Sequence, residues 1–358
     1  MAVPPAPESL GWIARRVDAR IDALLHEEEA RWGRFDADLA DPLRIMHQLV
    51  MAGGKRLRPA FCHWAFVAAG GDPEEPLVVD AGAALELLHT FALIHDDVMD
   101  GSVRRRGLDT VHFAFASRHA AGDWRGEGRR FGEGVAILVG DLAFVYADVL
   151  LAGAPPDAIE VFIDLRLEVN LGQYLDLLGT VRGGVGVEQA RRISQYKAGK
   201  YTIERPLHLG AALAGRLDQL ADPLSAYGGP LGEAFQLRDD LLGAFGDPAL
   251  TGKPVGEDLR EGKPTALYAF AAEVADGAAA KLLADRFGAT DLSPAEVGEL
   301  QAVLEETGAR AQVERAIDLL VDEALDALDA VPLGDGPRAE VARAELADLA
   351  RFAAGRDH

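Results

Sequence analysis

Ala92-Leu93-Ile94-His95-Asp96-Asp97-Val98-Met99-Asp100 closes an apolar run that begins near residue 74. The apolar residues recur at helical spacing, so the run reads as a buried helix over 74–100 that finishes in three carboxylates. Asp96 and Asp100 stand one turn apart on one face, and Asp97 neighbours Asp100 on the next row. Negative charge is unfavourable at the C-terminal end of a helix dipole. Crowded carboxylates are also costly to desolvate. Acids placed there against both effects point to a bound cation. Mg²⁺ fits, because it takes oxygen ligands and shares its shell with phosphate oxygens. An EF-hand does not fit, since its third position would be Val98 and its twelfth Gly107.

The device recurs at Phe235-Gln236-Leu237-Arg238-Asp239-Asp240-Leu241-Leu242. Beyond it come Gly252-Lys253-Pro254 and a stretch from Asp258 through Lys263 to Thr265. Lysines on a glycine-rich loop beside acids point to closure of phosphate over metal. Two such acid-tipped helices facing one another would make a single cavity with acid on both walls.

Cations gather elsewhere too. Gly53-Gly54-Lys55-Arg56-Leu57-Arg58-Pro59 sets a glycine pair before three cations at the start of a helix. Backbone N–H groups, the helix dipole and fixed charges there would all point at an anion. Arg104-Arg105-Arg106-Gly107 follows the first acids, as counter-charge, as anion ligand, or as both. His89 lies two turns before Asp96 on nearly the same face, and His112 flanks the cluster on its other side. Gln173 and Asp176 interrupt an apolar helix, so they should face a cavity.

The bulk properties narrow the classes. A net charge of −22 over 358 residues excludes a nucleic-acid binder, which needs a basic face. Cys62 is the one cysteine, so neither an intrachain disulfide nor a thiolate metal site can form. The N-terminus lacks a basic segment followed by an apolar one, and a cytoplasmic protein is expected. The greasiest stretch, 135–152, is broken by Asp141 and Asp148, so it reads as a core helix rather than a membrane span.

Helical periodicity covers 10–30, 42–52, 59–70, 110–121, 135–151, 157–178, 187–197, 201–214 and 223–245. It resumes over 265–275, 278–287, 294–306, 309–328 and 337–354. Residues 122–134 and 246–264 read as loops, and no segment reads as a strand. One all-helical domain over 1–358 is expected, with a motif-bearing core at about 51–265 and C-terminal helices over 265–355.

Taken together, these residues resemble the trans-isoprenyl diphosphate synthase (polyprenyl synthetase) family. The segment from Asp96 to Gly107 looks like its first aspartate-rich motif, DDxxDxxxxRRG, without gaps. Residues 53–59 look like GGKRxRP, and 235–240 like the entry to the second aspartate-rich motif. The resemblance implies an all-α isoprenoid-synthase bundle around a central cavity, a homodimer, and head-to-tail chain elongation with three Mg²⁺. An allylic diphosphate ionises, isopentenyl diphosphate attacks the cation, and a proton is lost. By the same carry-over Asp96, Asp100 and Asp239 hold metal, and Asp97 and Asp240 support them, Asp97 also counting among the ligands. Arg105, Lys197, Lys253 and Lys263 grip the allylic diphosphate. Gly54, Lys55, Arg58, His89 and Arg106 hold isopentenyl diphosphate, while Gln236 and Asp176 line the reacting centre.

Two positions depart from the family pattern. Gly243 stands where the second motif usually has its third aspartate, and Asp247 lies too far along to replace it. The family's Lys-Thr pair is Lys197-Ala198, with Thr202 as a nearby hydroxyl.

Product length follows from geometry. The residue five before Asp96 lies about 7.5 Å down the helix; it is Phe91, with small Ala92 beside it and Leu88 deeper. One aromatic there resembles geranylgeranyl diphosphate synthases, so a C20 product is favoured over C15 farnesyl. A class I terpene cyclase and a non-catalytic subunit of a heteromeric synthase are the alternatives. The first has no need of the 53–59 anion site, and the second tends to lose motif acids.

Overall fold

The computed structural model describes residues 5–182, 186–246, 256–263, 265–289, 291–334 and 336–355. Lys253 and Asp247 lie outside the described residues. The chain divides into two compact units, one of residues 8–63 and 72–155, the other of 64–71 and 156 onward.

The first unit holds α1 (Glu8–Gly33), α2 (Ala40–Met51), the start of α3 (Leu57–Ala68) and α4 (Pro76–Asp100). A two-stranded hairpin, β1 (Arg104–Arg105) and β2 (Leu108–Asp109), precedes α5 (Val111–Ala121) and α6 (Gly128–Leu150). Helix α4 is the hub. Pro76 opens it, where a missing N–H costs nothing. Gly101, at φ 67°, closes it by donating to the Asp97 carbonyl. Its buried residues include Leu85, Leu87, Leu88, Phe91 and Ile94. At about 1.5–3 kcal/mol for each large apolar side chain removed from water, this face dominates the unit's stability. Small residues let its neighbours approach. A Cβ on Gly82 would press on Val17 of α1, and one on Gly140 of α6 would run into the His95 ring.

Among the described residues helix α4, not 135–152, is the segment long and apolar enough to cross a membrane, but 67% of its most apolar window is buried inside the protein. It is a core helix. Helix α6 starts at Gly128, inside the stretch read as a loop. Gly132 accounts for this, since its bare Cα admits the His112 carbonyl of α5. His112 itself is buried in that packing.

The second unit contains α7 (Pro156–Val181), α8 (Val187–Ser194), a π-helical segment (Gln195–Glu204), α9 (Arg205–Leu213) and α10 (Leu217–Phe245). Next come α11 (Glu257–Glu261), α12 (Ala266–Val274), α13 (Gly277–Arg286), α14 (Pro294–Glu306), α15 (Ala309–Ala330) and α16 (Pro337–Gly355). Helix α10 carries Pro223 and Pro230 within it and begins before the boundary that Pro223 signalled. The break expected between 197 and 201 is absent. The wider π turns carry the chain straight into α9. Gly199 of those turns and Gly232 of α10 meet backbone to backbone, with no room for a side chain at either. Tyr227 is fully buried and donates to the Leu346 carbonyl at 2.7 Å, which ties α10 to α16. Leu237, Leu241, Leu259, Leu267, Leu300 and Val313 share the core behind the second acidic cluster.

Candidate active site

In the first unit the acids at the end of α4 divide their work. Asp97 is 1% exposed and accepts from Arg105 Nε at 2.7 Å. Arg105 also reaches Asp96 at 3.6 Å. Burial works against the Arg105 charge, yet Asp97, with Asp96 and Asp100, holds its pKa above the ordinary arginine value. Asp96 is partly buried and Asp100 exposed. Both are more accessible than Asp97, which braces the hairpin.

The hairpin stands where no strand is expected from the sequence. Arg106 and Gly107 form its two-residue turn with φ of 50° and 77°, the left-handed pair that a tight hairpin requires. A non-glycine residue in that region is strained by about 1–3 kcal/mol, a feature that clusters at functional sites. The turn separates the two arginines. Arg105 goes to the acids, and the Arg106 guanidinium lies against Gly54.

A second, cationic constellation results. Gly53, Gly54 and Arg56 all take positive φ, so the chain makes a tight entry into α3. Any Cβ on Gly54 would crowd both Arg56 and Arg106. Arg56 is not an anion ligand, contrary to a reading of all three cations as aimed outward. It is 3% exposed and spent on Asp18 (2.8 Å), Glu86 (2.6 Å) and the Val50 carbonyl (2.7 Å). Burial, and then the charges of Arg58, Arg106, Arg105 and Arg56, push the His89 pKa well below the ordinary histidine value. Gly54, Arg58, His89 and Arg106 therefore surround one spot, with Lys55 in the same turn. A neutral imidazole among fixed guanidinium groups is a cradle for a multiply charged anion.

In the second unit Lys197, from the π-helical segment, meets Asp176 of α7 at 2.6 Å. Both are residues singled out in the sequence, and the structure joins them. Thr202 is 1% exposed and enclosed in the packing. Gln236 donates to Asp240 Oδ1 at 2.8 Å, one turn along α10. Asp240 is 3% exposed, and its Oδ2 has no hydrogen-bond partner among the described residues. Burial lifts its pKa to about 7, and the charges of Asp258 and Asp239 add to the rise while the Gln236 bond opposes it. Among the described residues no arginine is bonded to Asp240 as Arg105 is to Asp97. An orphaned buried carboxylate oxygen beside another acid is what a cation site looks like before its ion arrives. Lys263 reaches Glu261 at 2.6 Å and Asp258 at 3.6 Å. The space beside Gly243 is filled by the Asp258 carboxylate, a placement the sequence did not announce.

Comparison with known proteins decides the family. Residues 42–306 match the polyprenyl synthetase family. This chain belongs to it. The synthase is 32% identical to the geranylfarnesyl diphosphate synthase of Aeropyrum pernix, over 82% of this chain and 88% of that one. It is 34% identical to the geranylgeranyl diphosphate synthase of Mycobacterium tuberculosis, over 78% and 76%. Among solved structures it resembles the geranylgeranyl pyrophosphate synthase of Corynebacterium glutamicum complexed with isoprenyl diphosphate and magnesium. That likeness has a TM-score of 0.89 and 38% identity over 96% of this chain and 98% of the other. The protein is an all-α trans-prenyltransferase.

Along α4 the fold adds a ring contact that sequence spacing does not show. Phe91 does not stand alone. Phe144 of α6 packs edge-to-face on it at 5.0 Å, and His95 packs on it at 4.6 Å. Leu88 is fully buried below. The second aromatic comes from another helix, so spacing along α4 could not reveal it.

Proposed function

We propose that this synthase condenses isopentenyl diphosphate with an allylic diphosphate, head to tail, to give all-trans geranylgeranyl diphosphate. The observation that carries the reading is the pair of unlike anion sites in the first unit. An acidic end (Asp96, Asp100) suits a metal-bound diphosphate. Beyond the Arg105–Arg106 turn, the cradle of Gly54, Arg58, His89 and Arg106 suits a diphosphate held without metal. A chain with two diphosphate devices joins two substrates. A cyclase has no use for the second.

Asp96, Asp100 and Asp239 would hold Mg²⁺, three ions in all, and when bound these would neutralise the charge that develops on the departing diphosphate. The residues around them have their own tasks. Arg105 is fixed by Asp97, so it offers its remaining N–H groups without paying to be ordered. Lys197, steered by Asp176, joins Lys253 and Lys263 at the allylic diphosphate. His89 stays neutral and donates a hydrogen bond to isopentenyl diphosphate rather than a proton. The apolar face of α4 excludes water from the carbocation. The Corynebacterium relative, complexed with isoprenyl diphosphate and magnesium, supports these assignments.

Phe91 and Phe144 form the floor that stops the growing tail at C20. The synthase acts as a homodimer, supported by the large apolar side chains Ile137, Leu138, Val145 and Val149 that α6 leaves exposed.

The test is turnover by the purified chain with Mg²⁺, isopentenyl diphosphate and each allylic primer, the products sized as alcohols after phosphatase. Linear C20 alcohol is expected. Cyclic hydrocarbon, or no condensation at all, contradicts the reading. Phe91→Ala should shift product beyond C20, and Phe91→Ala with Phe144→Ala should shift it further. Unchanged chain length would refute the floor.

A further inference from the structure

Far from the acidic helix ends, a ladder of side-chain pairs joins α1 to α2. Asp18, Asp22 and Glu29 of α1 meet Arg56 at 2.8 Å, His47 at 2.9 Å and Arg44 at 3.0 Å, in that order. The acids rise along the chain while their partners fall, so the two helices run antiparallel. The outer rungs are acid–arginine pairs. The middle rung carries an imidazole instead, and a second imidazole joins it. His26 stands one turn beyond Asp22 on the same face of α1. Its Nδ1 lies 3.2 Å from Asp22 Oδ1, the same oxygen that His47 Nε2 meets. The two rings pack edge to face with centroids 4.8 Å apart. One ligand atom from each of the three residues lies within 4.8 Å of the other two.

We propose that Asp22, His26 and His47 bind one divalent transition ion of the zinc class. The inference concerns a site apart from the diphosphate machinery and does not rest on the synthase reading. Two imidazole nitrogens and a carboxylate oxygen suit zinc, which holds such atoms at about 2.0–2.2 Å, so that tetrahedral ligands stand about 3.4 Å apart. The nitrogen–oxygen separations of 2.9 and 3.2 Å need only a slight opening to seat the ion. The bond of 2.9 Å between His26 Nδ1 and the Asp22 carbonyl is the contact that the ion would replace. Solvent can complete the shell, since the His26 and Asp22 side chains are 63% and 46% exposed. Mg²⁺ takes oxygen ligands and is a poor occupant of a site with two imidazoles.

The helices beneath are set before the ion arrives. Ile21 and Leu25 of α1 and Leu43 and Met46 of α2 are each at most 2% exposed. Ligands carried on such rigid elements cost little to order. The ion is a staple rather than a catalyst. It ties α1 to α2 one turn from Asp18, which holds Arg56 at the entry to α3.

The test uses the untagged chain with Zn²⁺ or Co²⁺ alone as probe, each against an excess of Mg²⁺ that fills all-oxygen sites. Calorimetry should find one Zn²⁺ per chain, and Zn²⁺ should raise the melting temperature. Bound Co²⁺ should show the strong visible absorption of a four-coordinate site. His26→Gln, a change at an exposed side chain, and His47→Gln should each weaken Zn²⁺ binding at least about tenfold and remove the cobalt band. Turnover of both variants with Mg²⁺ should match wild type. Asp96→Asn with Asp239→Asn should keep the Zn²⁺ affinity and the band. Thermal melting checks that each variant folds. Unchanged Zn²⁺ affinity in folded His26→Gln, a cobalt band lost with Asp96 and Asp239, or no Zn²⁺ binding in the presence of Mg²⁺ overturns the inference. Each of these outcomes leaves the synthase reading intact, since that reading fails only in the turnover assay.

Discussion

The two acidic helix ends share a sequence and differ in their surroundings. At the end of α4 the inner acid, Asp97, is buried against Arg105, so the charge is compensated within the fold. At the end of α10 the inner acid, Asp240, is equally buried but meets neutral groups, the Gln236 amide and the Ala266 backbone, and its pKa climbs to about 7. The first end is built complete and presents Asp96 and Asp100 outward. The second is built with a deficit of positive charge. The same two letters thus encode a charge-compensated brace in one place and a buried acid held by neutral groups in the other, and the difference is the arginine that follows eight residues after Asp97.

The largest expected effect lies at the outward acids. Asp96→Asn should cut kcat roughly a hundred- to a thousandfold, the scale of removing one preorganised group from a charge-stabilising site. Its melting temperature should stay close to wild type, because Asp96 is not the buried partner of Arg105. Next come the inner acids, where the two ends should part. Asp97→Asn leaves Arg105 buried without its charge partner and should cost about 3 kcal/mol by chemical denaturation. Equal stability of this variant and wild type would break the comparison.

Asp240→Asn should do the reverse in metal-free protein. The folded Asp240 holds its proton up to about pH 7, while the unfolded one loses it near the ordinary aspartate value of 3.8. Its contribution to stability is therefore present in acid and lost as pH rises through about 7. At pH 8 the asparagine variant should be more stable than wild type by about 2 kcal/mol, and at pH 4 the two should converge. Melting curves at the two pH values, without and with Mg²⁺, measure this. A smaller effect separates the cation cradle from the acids. Gly54→Ala, strained at φ 151° and crowding Arg106, should cost about 1 kcal/mol of stability. It should raise the KM for isopentenyl diphosphate several-fold while Mg²⁺ dependence is unchanged.

Much of this was legible in the sequence. Alanine- and leucine-rich periodicity gave the helices, and both acidic clusters stand toward the helix ends where the sequence puts them. What escaped was set by contacts between segments. The Arg104–Asp109 hairpin has strands too short to alternate, and its turn uses Arg-Gly in place of a stronger turn pair. The π turns of 195–204 leave no periodic trace distinct from an α-helix. Arg56 looks like its neighbours Lys55 and Arg58 until Asp18 and Glu86 are seen to claim it. Phe144 and Asp258 come from other elements, so neither the spacing along α4 nor that along α10 reveals their contacts. Gly243 reads as a loss in the motif and as a space in the fold.

The proposed reaction requires the acids of α4 and of α10 to serve one diphosphate. Mn²⁺-dependent pyrophosphate binding by Asp96→Asn, Asp239→Asn and the double variant measures it directly, as stoichiometry and as a mutant cycle. One Mn²⁺-dependent pyrophosphate per chain is expected, each single change weakening it at least tenfold and the pair far less than the product of the two. Two Mn²⁺-dependent sites per chain, each abolished by one substitution and indifferent to the other, would contradict it.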